Sequence, residues 1–306
     1  MSFSEVEQIR FFWHKTSCLL VLLRPKHWIK NIIIFLPLIF SKELFNASLF
    51  LKVSLGAVII SLLASAGYII NDFLDKEEDR LHPSKKNRPI ARDKVTLTES
   101  VILTLLLILC ALSLGDTLGV KFISCASLYI LLSVGYSLWL KHIVLIDILV
   151  LASFYLIRVI AGAEILNMPY SPWLIVCTFT SALFVGIAKR YVEKKPSSNH
   201  KDELTRSTLQ FYPLSYLKSL LFVTGGMVIT SFIFYFISDF ALQKYNNSLL
   251  ILTCLPIVYG VFRFIMLIEN QNDASKTDPV DIFLKDKGLL IAAVLALLLP
   301  IVVINL

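Results

Sequence analysis

Long apolar runs follow one another along this chain, and short charged segments separate them. A helix of about 20 apolar residues spans the hydrocarbon core of a bilayer, and such a segment must satisfy its backbone hydrogen bonds internally. The pattern therefore predicts an all-α fold, a polytopic membrane bundle of about nine transmembrane helices. We expect these helices near residues 18–40, 49–71, 97–115, 118–138, 143–164, 171–190, 215–238, 247–268 and 288–305.

The first of these runs is the least regular, because Arg24, Lys26 and Lys30 interrupt it. We expect it to begin at the membrane surface and to cross only from about Asn31. The chain is interpreted as one membrane domain, residues 1–306, with a cytoplasmic N-terminal segment (1–17) and a transmembrane bundle (18–306). The N-terminus lacks the short apolar region and small-residue cleavage site of a signal peptide.

Composition strengthens the membrane interpretation. Of the 306 residues, 57% are hydrophobic, and the mean hydropathy is +0.75, whereas soluble domains are about 45–50% apolar. Soluble classes are therefore excluded. The five cysteines stand singly in apolar runs, without a Cys-x-x-Cys pair or a Cys/His cluster, so neither a disulfide framework nor a zinc site is predicted.

The net charge is +7, and the bases are concentrated in alternate loops. The basic loops are those near 72–94, 139–142, 189–206 and 269–287. The intervening loops hold little beyond Lys42 and Lys244. Loops rich in lysine and arginine stay on the cytoplasmic side. We therefore expect an integral, multi-pass protein of the cytoplasmic (inner) membrane, with its N-terminus inside and the charged loops facing the cytoplasm.

A block of acids follows directly on the second run. If that helix continues, Asn71, Asp75 and Asp79 recur every four residues. Asp72 lies three residues before Asp75, and groups at these spacings share one helix face. Carboxylates this close repel one another unless a cation lies among them, and Mg²⁺ combines a few carboxylates with water and phosphate oxygens. The block predicts a magnesium site of Asp72, Asp75 and Asp79; the alternative is a solvated helix end.

A block of bases follows the acids. It contains Arg80, Lys85 and Arg88, and arginine offers phosphate oxygens a planar fork of donors. His82, in the same segment, is either a ligand or acid or simply a polar loop residue. Acids suited to a metal, followed by bases suited to phosphate, indicate a membrane enzyme that handles a diphosphate.

Other charges lie within the runs or at their ends. Asp147 and Arg158 fall eleven residues apart in the fifth run, on one helix face, and Glu164 ends that run. A charge inside a membrane is costly and marks a functional site by default; the alternative is a structural pair with a neighbouring helix. Further cations at the predicted inner ends are Lys26, Lys30, Lys141, Lys189 and Arg190. Taken singly, these cations are explained by the positive-inside rule or by anchoring at the membrane interface. Together they favour a phosphate-binding site at the inner ends of the helices.

The motif Asn71-Asp72-x-x-Asp75-x-x-x-Asp79, followed by Arg88-Pro89, resembles the first aspartate motif of the UbiA superfamily of intramembrane prenyltransferases. Within it, the chain is most similar to the decaprenyl-phosphate phosphoribosyltransferase branch. The segments that carry this likeness are 24–31, 79–89, 136–141, 158–162 and 189–191. The resemblance covers about residues 20 to 290.

The chain departs from the aromatic prenyltransferases of that superfamily after the sixth run. Those enzymes carry a second Asp-x-x-x-Asp motif, where this chain reads Ala188-Lys189-Arg190-Tyr191-Val192-Glu193. A basic pair suits a sugar phosphate rather than a second metal. The resemblance therefore implies Mg²⁺-dependent transfer of a 5-phosphoribosyl group from phosphoribosyl diphosphate to a polyprenyl phosphate, for cell-envelope glycan supply.

The resemblance also implies roles. Sugar phosphates are assigned to Arg80, Lys85, Arg88, Lys189 and Arg190, and the lipid phosphate or the diphosphate to Lys26, Lys30, Lys141 and Arg158. Expected partners are the two substrates and membrane lipids, without nucleic acid; a homo-oligomer is left open. The alternative activity, prenyl transfer to an aromatic or other small acceptor, requires Asp147, Glu164 or Glu193 as second acids. A transporter or scaffold is a third alternative, and it leaves the acid–base block without a purpose.

Overall fold

The computed structural model of the chain describes residues 15–82, 85–168, 171–195, 207–245, 247–270 and 279–305. Within these ranges the chain forms helices joined by turns and short connections, and it contains no strand. The all-α prediction is confirmed.

In the described ranges, seven helices are long and apolar enough to cross a membrane. They are α1 (Ala47–Leu74), α2 (Leu97–Asp116), α3 (Val120–Leu138), α4 (Ile146–Ile165), α5 (Pro172–Lys194), α6 (Leu214–Ile237) and α7 (Cys254–Asn270), the last preceded by a 3-10 helix, Ser248–Thr253. An eighth helix, α8 (Lys287–Asn305), is also apolar, but its apolar stretch, Lys287–Val303, is shorter than those of the seven. The prediction of about nine helices is thus approximate.

The first apolar run does not form one continuous helix. Residues 15–22 are helical, Arg24 adopts a left-handed conformation with φ 50°, and a 3-10 stretch (Pro25–Phe35) leads into a short helix (Leu36–Phe40). A proline disfavours the α-helical region for the residue before it, which explains the break at Arg24. The 3-10 stretch packs against α1 and α4. An irregular segment inside the bundle therefore occupies the place where a crossing from about Asn31 was expected.

Two glycines allow the inner elements to approach closely. A Cβ at Gly162 of α4 would lie 2.1 Å from the backbone oxygen of Ile34, and one at Gly67 of α1 would lie 2.2 Å from Ser133 Oγ. Membrane helices pack through small residues, because lipid provides little hydrophobic drive between them. Gly162 thus fixes the 3-10 stretch against α4 and keeps Asn31 in the bundle interior.

The apolar core has two main parts. One is centred on α1, α3 and α4, and the other on α5, α6, α7 and α8. Helices α4 and α5 pack against each other and join the two. Successive helices run in opposite directions, so the last residues of α1, α3 and α5 lie at the same end as the first residues of α2, α4 and α6. We call this the motif end, because the acidic motif lies there.

Candidate functional site

The acidic motif lies where α1 ends. Helix α1 stops at Leu74, Asp75 forms a bend, and a short helix (Lys76–Leu81) follows. The N–H of Asp75 donates to the carbonyl of Asn71 at 2.9 Å, and the N–H of Asp79 donates to that of Asp75 at 2.8 Å. These bonds keep the four-residue spacing, so the structure contains the expected continuation of the helix, with one bend.

Asp72 and Asp79 share one arginine. Nη1 of Arg88 donates to Oδ1 of Asp72 at 2.8 Å and to Oδ2 of Asp79 at 2.5 Å. Nη2 of Arg24 donates to the same Asp72 oxygen at 2.5 Å, and Nζ of Lys85 lies 4.0 Å from Asp79. The two carboxylates are buried, whereas the cations are partly exposed. Two buried acids therefore converge on a single cationic nitrogen.

Asp75 has different partners. Its Oδ1 forms an ion pair with Lys141, and its Oδ2 accepts a hydrogen bond from Nδ2 of Asn71 at 2.9 Å. Lys141 comes from the connection between α3 and α4. The fold thus brings this predicted phosphate ligand from a distant part of the chain to the motif.

The donor set fits a divalent cation. Asp72 and Asp79 each direct one carboxylate oxygen at Arg88 Nη1, so a positive charge already lies between the two acids. Mg²⁺ commonly uses one or two carboxylates together with water and phosphate oxygens. In the described ranges, no three acids, histidines or cysteines converge, because Asp75 is turned towards Lys141. The geometry therefore favours Asp72 and Asp79 as the metal-holding pair, with Asp75 beside them.

Arg80 lies outside this arrangement. Its guanidinium donates to Glu77 at 2.9 Å and also binds Asp93. Lys76 forms a hydrogen-bonded ion pair with Asp93 at 2.6 Å, and this contact is the main reason that the pKa of Asp93 is lowered. Arg80 is predicted to bind a sugar phosphate; in the structure its guanidinium binds Glu77 and Asp93 and so stabilises the segment that carries Arg88.

Two other residues of the basic segments have local contacts. Nε1 of Trp28 donates to the carbonyl of Leu23 at 3.2 Å and to Oγ of Ser65 at 3.1 Å. Nδ1 of His82 accepts a hydrogen bond from the backbone N–H of Lys85 at 3.4 Å. Trp28 thus connects the 3-10 stretch to α1, and the ring of His82 binds the backbone of Lys85.

A second buried network lies at the start of α4. Nε of Arg190 donates to Asp147 at 2.9 Å, and its Nη1 donates to Glu193 at 2.7 Å. The hydroxyl of Tyr212 donates to Asp147 at 2.9 Å and accepts from the N–H of Leu145 at 2.5 Å. Burial, followed by the hydrogen bond to Asp147, raises the pKa of Tyr212 to about 12. Asp147 is 0% and Arg190 1% exposed, so the pair is closed to solvent.

This network bears on two of the residues singled out in the sequence. Asp147 pairs with Arg190 of the neighbouring helix α5, which matches the alternative of a structural pair between helices. Arg190, expected at a sugar phosphate, lies between two carboxylates, while Lys189 beside it is half-buried. Glu164 lies at the opposite end of α4, where Lys121 approaches it at 3.5 Å.

Arg158 lies deeper in α4 and is 4% exposed. Its Nε donates to Oδ1 of Asn31 at 2.6 Å, and its Nη2 donates to the hydroxyl of Tyr129 at 2.8 Å. Its Cζ also lies 5.1 Å and 5.2 Å from the ring centroids of Tyr129 and Tyr155. Nη1 is buried without a hydrogen-bond partner. The sequence-predicted cation is thus part of an aromatic and amide cluster.

Arg24 is the site residue that the sequence prediction missed. Besides binding Asp72, its guanidinium lies 4.9 Å from the ring centroid of Tyr68. The sequence did contain a signal for Arg24, because this residue begins the basic segment and stands directly before a proline. Of the cations chosen from that segment, Lys26 is exposed and Lys30 is half-buried.

The bundle of membrane-length helices defines a multi-pass integral membrane protein, and at one end of it buried carboxylates are paired with partly exposed cations. The model of the UbiA prenyltransferase family matches residues 32–285, and the chain belongs to this family. It is a transferase. The residues that carried the resemblance in the sequence therefore identified the family correctly.

Named relatives and solved structures agree with this assignment. The decaprenyl-phosphate phosphoribosyltransferase of Mycolicibacterium smegmatis is 30% identical over 283 residues, covering 89% of this chain and 88% of the relative. The enzyme of the same name from Corynebacterium glutamicum is 28% identical over 278 residues, covering 89% and 82%. A UbiA homologue from Archaeoglobus fulgidus, solved with GPP and Mg²⁺, superimposes with a TM-score of 0.71 at 16% identity, covering 94% of this chain and 100% of that one. This likeness confirms the fold.

Proposed function

We propose that the chain transfers a 5-phosphoribosyl group from phosphoribosyl diphosphate to a polyprenyl phosphate and releases diphosphate, with Mg²⁺ as cofactor. The names of the relatives support this reaction. The observation that carries the proposal is that, among the residues the structure describes, the motif at Asp72 and Asp79 is the one buried acidic pair whose partner cations are open to solvent. Asp147 and Glu193 both bind Arg190, and Glu164 lies near Lys121 at the other end of α4. The acids that a second metal site would need are therefore engaged elsewhere.

The diphosphate would lie at the acidic motif. Mg²⁺ held by Asp72 and Asp79 would neutralise the negative charge of the departing diphosphate. Arg88, which now balances both acids, would turn with Lys85 to the diphosphate oxygens, for which the guanidinium fork is well suited. Because a buried unpaired charge is costly, this exchange of cations keeps the two carboxylates neutralised throughout.

The acceptor supplies the nucleophile. An oxygen of the lipid phosphate forms a bond to ribose C1 as the bond from C1 to the diphosphate oxygen breaks. The acceptor is already anionic near neutral pH, so the step requires little base catalysis, and the protein contributes mainly position and charge. Lys141 would serve the reacting phosphates at the motif, and Lys189 the 5-phosphate of ribose.

We further propose that the motif end faces the cytoplasm, in the inner membrane, with the N-terminus inside. The bases gathered at the motif end support this orientation. The polyprenyl tail would lie in apolar grooves between helices, such as a crevice of about 190 Å³ lined by Phe184, Val261 and Ala292. The product would supply cell-envelope glycan synthesis.

A two-substrate assay tests the reaction. Purified protein receives Mg²⁺ and either labelled phosphoribosyl diphosphate with a polyprenyl phosphate, or a labelled prenyl diphosphate with an aromatic acid. We expect label from the phosphoribosyl diphosphate to enter the lipid phase, and to stay in water when Mg²⁺ is removed. Label on the aromatic acid would instead establish the alternative, prenyl transfer.

A further inference from the structure

Arg158 carries a buried charge that no described carboxylate neutralises. Its hydrogen bonds go to neutral groups, Asn31 and Tyr129, and its Nη1 has no partner. Arg190 is equally buried and its Nη2 also lacks a partner, but its guanidinium binds two carboxylates that balance its charge, and Arg158 has none among the described residues. An arginine stays charged at any physiological pH, and a buried charge without a compensating partner is strongly unfavourable. An arginine in this setting is poised to bind an anion.

We propose that Arg158, with Asn31 and Tyr129, binds the phosphate group of the lipid acceptor. This inference rests on the proposed function and gives the binding position of the phosphate group of one of its two substrates. Nη1 of Arg158 is the free donor. The hydroxyl of Tyr129 accepts from Nη2, so its own proton is left to donate to a phosphate oxygen. Asn31 orients the guanidinium through Nε and is itself fixed by a 2.7 Å hydrogen bond to Ser61.

The position of Arg158 favours the lipid over the sugar as the source of the phosphate. Arg158 is the thirteenth residue of α4, so its Cα lies about 18 Å along the helix axis from the motif end. Tyr129 and its neighbour Phe154 belong to the apolar core around it. A polyprenyl phosphate approaches from within the bilayer with its phosphate attached to an apolar chain. A highly charged sugar diphosphate approaches from water, where Arg24, Lys85 and Arg88 are partly exposed.

One segment of the chain connects this position with the acidic motif. Arg24 binds Asp72, and Asn31, further along the same segment, binds Arg158. A phosphate at Arg158 would thus be on the path from the apolar core to the reacting carbon. The acceptor would approach the ribose from the membrane side and the donor from the opposite side.

Binding measured separately for each substrate tests the proposal. Purified protein in nanodiscs is titrated with a short-chain polyprenyl phosphate or with phosphoribosyl diphosphate and Mg²⁺, and the Kd of each is determined by calorimetry. We expect Arg158→Gln to weaken polyprenyl phosphate binding at least about tenfold, the loss of one charged hydrogen bond, and to leave the Kd of phosphoribosyl diphosphate unchanged. The matched control is Arg263→Gln, which removes an arginine paired with Asp286 at the α7–α8 contact and should change neither Kd.

The other outcomes are decisive as well. Unchanged lipid binding in Arg158→Gln, or a loss confined to phosphoribosyl diphosphate, overturns the assignment. If Arg158→Gln does not fold, Tyr129→Phe answers the question, because it removes one hydroxyl from the cluster; an unchanged KM for the lipid in that variant also overturns the assignment. If the wild-type protein binds prenyl diphosphate and not polyprenyl phosphate, the proposed function itself fails, independently of the variants.

Discussion

The motif end contains two groups of buried acids paired with cations, and their surroundings differ. At the acidic motif, Asp72 and Asp79 are buried, but their partners Arg24 and Arg88 have side chains 22% and 24% exposed. In the second network, Asp147 and its partner Arg190 are both closed to solvent. A cation open to solvent can give up its place beside the acids to a metal ion and bind a phosphate instead, whereas an ion pair sealed on both sides holds helices together. Among acids that are already paired with a cation, the exposure of that cation therefore distinguishes a candidate binding site from a structural contact.

The largest effect should come from the acidic motif. Asp72→Asn keeps the shape of the side chain and removes the charge, so we expect turnover to fall about a thousandfold or more, which corresponds to the several kcal/mol that a metal contributes. Folding should be retained, as judged by extraction in detergent and size-exclusion chromatography. The matched control is Glu78→Gln, an exposed acid of the short helix that follows α1, which should keep its activity. Near-normal turnover in Asp72→Asn would remove the metal assignment.

The second network should respond in stability. Arg190→Met leaves the buried Asp147 without its cation, and breaking one side of a buried pair costs about 3–5 kcal/mol. Thermal unfolding in detergent measures this loss, and Asp147→Asn in the same chain should restore part of it. Activity per folded molecule should be largely kept. A normal melting temperature combined with lost substrate binding would instead make Arg190 a ligand.

Arg24 tests whether an exchangeable cation matters for activity. Asparagine tolerates the left-handed backbone that residue 24 adopts, so Arg24→Asn removes the cation without adding backbone strain. We expect kcat/KM to fall about tenfold or more, since one charged hydrogen bond to Asp72 is lost. The control, Arg24→Lys, should retain more activity. Equal activity in both variants would show that Arg24 serves only the fold.

Lys189 should have a smaller effect, limited to the donor substrate. Lys189→Ala is expected to raise the KM for phosphoribosyl diphosphate about tenfold with a minor change in kcat, because one charged contact to phosphate is removed. Steady-state kinetics with each substrate varied in turn measure this. Lys218→Ala, whose lysine pairs with Glu269, provides the control. A rise in the KM of the lipid alone would contradict the placement of the sugar.

The smallest effect concerns the pH dependence of the sealed network. The pKa of Tyr212 is raised to about 12 in the folded protein, above the ordinary value of about 10. Its contribution to stability is thus present below pH 10 and is lost as the pH rises towards 12. Tyr212→Phe should cost about 1–3 kcal/mol at neutral pH, because Asp147 loses a hydrogen bond. Melting curves between pH 8 and 12 should then fall less steeply for the variant than for the wild type.

The sequence predicted much of the fold and part of the site. Runs of apolar residues located the seven membrane-length helices of the described ranges, because a helix in a bilayer must be apolar along its length. The spacing of Asp72, Asp75 and Asp79 located the acidic motif. The structure of the segment that begins at Pro25 was less predictable. Its apolar run suggested a membrane crossing, whereas the proline and the close contact at Gly162 favour the 3-10 stretch that the structure contains.

The sequence by itself determined the class of fold, the family and the residue types available at the motif end. These follow from local properties: hydropathy, charge and spacing along one helix. Only the tertiary structure decided the pairing of the charges. It placed Arg24 on Asp72, sealed Arg190 against Asp147, and left Arg158 without an acid. The physical reason is that an ion pair depends on which helices touch and at what depth, and spacing within one helix does not specify its neighbours.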